Sequence, residues 1–308
     1  MIEQTLDITT KDGAMETFIC HPERNGPFPT VFFLMDAHGV REELKDMARR
    51  LGTVGYYVLL PNLYYRAGRD TIYGPDVQEE GSAEHKRMRA VRTNMTIPPV
   101  MDDIGAMVAF AEQQKDVKRG AVGCHGYCMS GPYALAAAAR YPDRIAAAAS
   151  FYGTWLVSEA EESPHLSLGK VEGELYIACA EHDNLAPLPM VDELRTVFAR
   201  AGAAGEIELY PGVHHGFAFP QRWCYDKPAA ERHWERLIAP VPATLGVGRT
   251  VSPFFRTSIS PRGGPRAGVP PVEGVPERGA GASERDGVSR PALAATDLPE
   301  HHRRSSRT

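Results

Sequence analysis

The chain has 308 residues, 43% of them hydrophobic and 24% charged, with a formal net charge of −5; this length allows a substantial core, and the composition is that of a globular protein. The acidic excess gives no reason to expect nucleic acid or an anionic membrane surface as a partner, and no apolar run approaches the length of a membrane span. Five cysteines, an odd number without a CxxC pair, do not suggest a disulfide framework, and the start Met1-Ile2-Glu3-Gln4 lacks the basic end and apolar core of a signal peptide, so a reduced, cytoplasmic protein with mostly buried thiols is expected.

Taken in chain order, two amphipathic strands around residues 6–9 and 15–20 flank a Lys11-Asp12-Gly13 turn. Residues 30–35 are a continuous apolar run suited to a strand buried on both faces. Helical spacing follows at 42–51 and a further strand at 56–60. The stretch 64–99 is polar and lacks a clean period; it reads as a long loop with one helix near 83–91. Helical spacing returns at 101–113. Strands are expected at 120–124, 145–151, 174–180 and 206–210, and helices at 133–140, 189–201 and 229–237. Strands alternating with helices indicate an α/β fold with a largely parallel central sheet. Beyond residue 239 proline, glycine, serine and arginine dominate, lysine vanishes and no apolar period survives. Such a segment cannot bury enough apolar surface to offset its ordering entropy, so 1–239 is expected to be the folded domain and 240–308 a disordered tail.

The most informative stretch is Gly126-Tyr127-Cys128-Met129-Ser130-Gly131. A strand turning sharply into a helix leaves no room for large side chains two residues before and after the turn residue, and Gly126 and Ser130 are small. Such a turn lifts the Cys128 sulfur above the sheet at a helix N-terminus. That helix end lowers a thiol pKa and offers N–H groups to a developing oxyanion. The same six residues also fit a tight turn in which Cys128 is a small buried hydrophobe.

A thiol nucleophile needs a base, and the base needs an orienting acid. The order nucleophile, acid, base is met. Glu181-His182-Asp183-Asn184 follows the strand at 174–180, and Pro211-Gly212-Val213-His214-His215-Gly216-Phe217 follows the strand at 206–210. Both loops fall at C-terminal strand ends, where open α/β sheets carry their sites. Asp183 competes with Glu181 as the acid. His214 and His215 are neighbours whose side chains diverge, so at most one serves as the base.

From residue 1 to 238 the chain resembles the dienelactone hydrolase family of α/β-hydrolases. The matching segments are Met35-Asp36-Ala37-His38-Gly39, Leu60-Pro61-Asn62-Leu63-Tyr64-Tyr65-Arg66, Gly126-Tyr127-Cys128-Met129-Ser130-Gly131, His182-Asp183 and His215-Gly216-Phe217-Ala218, in family order. The resemblance implies an α/β-hydrolase fold, with a largely parallel sheet flanked by helices. It implies Cys128 as nucleophile, His215 as base and Asp183 as the orienting acid, with the backbone N–H groups of Ala37 and Met129 as the oxyanion hole. The family's type members have glutamate just before the first of these N–H groups, where it handles the thiol proton; this chain has Asp36, one methylene shorter. The dienelactone specialists also hold a substrate carboxylate with arginines, one before the elbow and one after the histidine. Here the earlier loop offers Arg87, Arg89 and Arg92 without a motif to choose among them. The later position is Phe219, and the nearest arginine is Arg222. Asp36 and Arg222 are expected behind the catalytic residues or against the substrate.

The implied activity is hydrolysis of a lactone or carboxylic ester through a cysteinyl thioester. A thioesterase or general carboxylesterase on the same scaffold is the alternative within enzymes, and a redox-sensing cysteine protein is the alternative outside them. Neither cofactor nor metal is implied, since no HExxH spacing and no nucleotide loop occur. A monomer acting on a small-molecule ester or lactone, with no nucleic-acid or membrane partner, is expected.

Overall fold

The computed structural model describes residues 1–69 and 71–238; the tail expected at 240–308 lies outside the described residues. The sheet has eight strands: β1 (Ile2–Thr10), β2 (Gly13–His21), β3 (Thr30–Leu34), β4 (Tyr57–Pro61), β5 (Val122–Tyr127), β6 (Ile145–Phe151), β7 (Glu174–His182) and β8 (Ala204–His214). Their spatial order is β1-β2-β4-β3-β5-β6-β7-β8. β1 and β2 form an antiparallel hairpin, β2 also runs antiparallel to β4, and every remaining pair is parallel. The α/β-hydrolase fold with a largely parallel sheet is therefore present.

The sequence accounts for this order. β3, β4 and β5 are buried along their whole length, as continuous apolar runs covered on both faces must be. β1 at one edge is mostly exposed. Parallel neighbours need crossovers, and the helices α1 (Glu42–Thr53), α2 (Ala83–Arg92), α3 (Ile97–Gln113), α4 (Gly131–Arg140), α5 (Leu188–Ala201) and α6 (Lys227–Ile238) lie between and after the strands. α1 buries Leu44, Met47, Ala48 and Leu51, the spacing of one helical face. Each large side chain so buried contributes roughly 1.5–3 kcal/mol. The alanine-rich α4 is buried almost all round, and Ala134, Ala137 and Ala138 are fully enclosed.

Boundaries differ from the sequence reading at several elements, among them β7 and β8, which run on to His182 and His214 through residues read as loop. α3 starts at Ile97, a turn earlier than the apolar period suggests, with proline in its first turn; N–H groups there have no helical partner, so proline costs little. β5 runs on through His125 and Gly126 to Tyr127, because polar His125 is buried among Phe33 and Tyr127 rather than solvated. The stretch 64–99 contains α2 as expected and, in addition, one-turn 3-10 segments at Tyr65–Ala67 and Pro75–Gln78. All five cysteines are free and buried.

Candidate active site

The C-terminal ends of β3, β5, β6, β7 and β8 converge on one edge, and strand register decides which residues emerge there together. His182 of β7 pairs with His214 of β8, so the next residues, Asp183 and His215, leave the sheet side by side. Tyr127 of β5 pairs with Phe151 of β6, so Cys128 and Tyr152 emerge together. Both of these take positive φ, 56° at Cys128 and 39° at Tyr152. Such conformations cost about 1–3 kcal/mol each and persist only where packing enforces them.

The packing at the elbow is tight. A Cβ on Gly126 would lie 2.1 Å from the Ser130 carbonyl oxygen, so only glycine fits two residues before Cys128. A Cβ on Gly131 would meet the Gly153 Cα at 2.5 Å, which brings the start of α4 against the end of β6. The Thr154 N–H donates to the Cys128 carbonyl at 3.1 Å. The Ser130 hydroxyl donates to the Met35 carbonyl and ties the elbow to the turn after β3. Cys128 itself is 4% exposed.

His215 Nδ1–H donates to Asp183 Oδ2 at 2.7 Å, and the other oxygen of Asp183 accepts the Leu185 N–H at 2.8 Å. Asp183 thus shapes its own loop and orients the imidazole at once. The competing candidates are occupied elsewhere. Glu181 accepts the Gly212 N–H at 2.6 Å, and the His214 ring packs against Trp223 and His182. His215 Nε2 is buried with no partner in hydrogen-bond geometry. Burial works against a charge on His215, but Cys128 and Asp183 outweigh it and raise the imidazole to about 10. Burial likewise works against a thiolate at Cys128, yet the facing His215 outweighs it and the thiol titrates below its ordinary range. Cys128 and His215 are thus electrostatically coupled, each shifting the other towards its charged form.

The turn after β3 is held by Asp36, which is fully buried. Its carboxylate accepts Arg41 Nη1 at 2.7 Å, Arg41 Nη2 at 3.3 Å, Arg222 Nη2 and the His38 backbone N–H at 3.1 Å. Burial would raise this carboxyl, but Arg222 and Arg41 hold it far below the usual carboxylate range. The Asp36 carbonyl accepts the Gly39 N–H at 3.2 Å. Among the described residues the Ala37 N–H has no acceptor. Phe219, at the position of the family's second arginine, lies under the Arg41 and Arg222 guanidinium groups at 5.1 and 4.8 Å.

The three arginines of the stretch 64–99 separate by environment. Arg87 pairs with Glu84 at 2.9 Å, donates to the Ile72 carbonyl and stacks on Tyr73. Arg89 is exposed. Arg92 is half-buried over the Trp155 ring at 5.6 Å, acts electrostatically on Tyr64 and Tyr133, and pairs with no carboxylate among the described residues. Sequence reasoning left Arg92 unchosen and passed over Arg41 and the hydroxyl of Tyr64. Arg41 has no local signal. Arg92 follows Met88 by four residues on one helix face, and Met88 is buried, a pattern that distinguishes it from its neighbours. No group of three or more histidine, cysteine, aspartate or glutamate side chains suited to a metal occurs among the described residues, and no described helix is long and apolar enough to cross a membrane.

A sequence model of the dienelactone hydrolase family matches residues 15–241. A Synechocystis protein named "Putative carboxymethylenebutenolidase" is 27% identical over 226 residues, covering 71% of this chain and 88% of its own. A Bradyrhizobium protein named "Probable 2-oxo-3-(5-oxofuran-2-ylidene)propanoate lactonase" is 26% identical over 237 residues, covering 76% of this chain and 91% of its own. Among solved structures, a Klebsiella pneumoniae protein described as a "Putative Dienelactone Hydrolase" superposes with a TM-score of 0.69 at 23% identity, covering 77% of this chain and 97% of that one; this last likeness is one of fold.

Proposed function

Given that the chain belongs to the dienelactone hydrolase family, and so to the carboxylic ester hydrolases, we propose that it cleaves a lactone or ester through a thioester on Cys128. The observation that carries this reading is the strained Cys128 at the elbow, charge-coupled to a His215 that Asp183 holds at 2.7 Å. The Cys128 thiolate attacks the carbonyl carbon, and the oxyanion is received by the N–H groups of Ala37 and Met129. The His215 imidazolium gives its proton to the departing alkoxide, which leaves as an alcohol, or as the ring-opened hydroxyl of a lactone. Neutral His215 then takes a proton from water while the oxygen attacks the thioester, and collapse releases the acid and restores the thiolate–imidazolium pair. Asp183 keeps Nε2 turned to the sulfur throughout.

Asp36 takes no part in this proton traffic, since four donors fill its carboxylate. With Arg222 it holds the turn that carries the Ala37 N–H. The names of the two relatives describe lactones bearing a carboxylate, and Arg92, a cation without an acidic partner beside Tyr64, supports a substrate of that kind here. We assign the reaction to a single chain acting on a small molecule, with residues 1–239 sufficient for it.

The test uses wild type, Cys128→Ala and Cys128→Ser against a carboxylated dienelactone, a neutral aryl ester and an acyl thioester. Intact mass spectrometry of the acid-quenched enzyme accompanies the kinetics. The expected result is an acyl adduct on wild type and loss of turnover in Cys128→Ala. Equal hydrolysis by wild type and Cys128→Ala would sink the nucleophile assignment.

A further inference from the structure

The turn after β3 is pinned from the far side by a residue that the proposed chemistry has not used. Tyr64 follows β4, and its backbone is fixed by an Asn62 side chain that accepts the Tyr64 N–H at 3.0 Å while donating to the carbonyls of Gly68 and Arg69 at 3.3 and 2.9 Å. The ring is 1% exposed and meets Tyr73 edge-on at 5.4 Å. Its hydroxyl donates to the Ala37 carbonyl at 3.0 Å and lies 3.3 Å from Met129 Sδ. A hydroxyl has one hydrogen, and the carbonyl is the stronger acceptor, so the sulfur contact is one of packing. Burial keeps the phenol protonated, well above its ordinary titration range, and so a permanent donor.

The consequence for the turn is specific. The peptide between Ala37 and His38 is held at both ends: its carbonyl by Tyr64 and its N–H by the Asp36 carboxylate at 3.1 Å. The next N–H, of Gly39, is taken by the Asp36 carbonyl. The Ala37 N–H is the one left over. The same hydroxyl packs on the side chain of Met129, whose N–H is the other proposed oxyanion donor. We infer that Tyr64 is a positioning residue that sets the two oxyanion donors, Ala37 and Met129, at their working separation. This rests on the oxyanion hole proposed above. The energetic logic is that preorganised N–H donors stabilise charge only where they already point at it, and a loose peptide forfeits that.

Tyr64→Phe in the full chain tests it, read with two reagents. Acylation by a neutral aryl ester passes through an oxyanion, whereas alkylation by iodoacetamide consumes the same thiolate without forming one. The expected result is a loss in kcat on the ester of about tenfold or more, short of the hundredfold for deleting an oxyanion donor outright. KM and the iodoacetamide rate on Cys128 should stay near wild type. An equal fall in both reactions would show that Tyr64 acts on the thiolate or on folding, and no change in either would show that it does nothing for the turn; each overturns the inference. Cys128→Ala is run beside it. Continued ester turnover by that variant would remove the nucleophile reading and this inference with it, whereas a silent Cys128→Ala with an unaffected Tyr64→Phe removes only the latter.

Discussion

Arg222 reaches across 186 residues of sequence to bond Asp36, and the same Nη2 lies 2.7 Å from His38 Nδ1. The contact joins the loop after β8 to the turn after β3, the two segments that carry His215 and the Ala37 N–H. With Arg41 on its other side, Asp36 is a buried anion between two cations. Removing Asp36 leaves Arg222 without a carboxylate while Arg41 keeps Glu43 at 2.5 Å, and one uncompensated buried charge costs roughly 3–5 kcal/mol. Asp36→Asn is therefore expected to lower the unfolding free energy by an amount of that order, and the urea midpoint with it. Iodoacetamide should still alkylate Cys128 in the folded variant, because the proposed acceptor of the thiol proton is His215 and not Asp36. An unchanged midpoint would show that the ion group is not the tie described here.

The proposed thiolate–imidazolium pair predicts an alkylation profile shifted from that of a free thiol. Burial and the charge of Asp36 both oppose ionisation of Cys128, and His215 reverses them. The two sites titrate as a unit, so the observed midpoints belong to the pair. The alkylation rate of Cys128 should therefore rise with a midpoint below that of a free thiol, which lies near about 8.5. In His215→Gln only burial, Asp36 and the more distant Arg222 remain, and the midpoint should move above the ordinary thiol value. A wild-type profile that rises with a midpoint near 8.5 would contradict the pair.

How much of this was legible in the sequence follows from which interactions are local. The alternation of strands and helices and the strand-to-helix turn at Cys128 rest on nearby residues and are found where the sequence put them, whereas β7 and β8 run on to His182 and His214, through residues read as loop. Gly126 is legible because the turn itself excludes a side chain there. The choice of His215 over His214 and of Asp183 over Glu181 came from family resemblance. Its physical reason, the His182–His214 register that sends Asp183 and His215 out together, exists only once β7 and β8 pair. Tyr64 and Arg41 lie on loops or helix ends whose facing is set by tertiary packing, and Arg92 has only its four-residue spacing from Met88 to mark it. The Asp36–Arg222 tie spans most of the domain and leaves no local trace.

Three histidines outside the proposed triad set the acid side of stability. Burial lowers His125 and His233 to about 3 and His38 to about 4. In the unfolded chain each returns to about 6.5, so below that pH the unfolded state binds more protons and stability falls as pH falls, by about 1.4 kcal/mol per histidine per pH unit. His215 does not offset this. Its raised value makes a contribution that is complete below about 6.5 and is lost only as pH rises toward 10. Urea midpoints measured at pH 7, 6 and 5 should decline steeply, and His125→Leu should make the decline shallower by about a third. Superimposable slopes for wild type and His125→Leu would exclude His125 as a contributor.

Arg92 offers a test of substrate class. It is half-buried over Trp155, its field reaches Tyr64 and Tyr133, and no carboxylate of the described residues neutralises it. A partly desolvated guanidinium facing a substrate carboxylate contributes about 1.5–3 kcal/mol through charged hydrogen bonds, a factor of roughly 10 to 100 in binding. Arg92→Ala should therefore lower kcat/KM on a carboxylated dienelactone by that factor, mainly through KM, and leave a neutral aryl ester within about twofold. Raised salt should weaken the wild-type preference in the same direction, since the attraction is Coulombic and partly exposed. If Arg92→Ala treats both substrates alike, the carboxylate is bound elsewhere or is not part of the substrate. Arg87→Ala is the matched control: its partners are Glu84, Tyr73 and the Ile72 carbonyl, so it should leave the ratio of the two substrates unchanged.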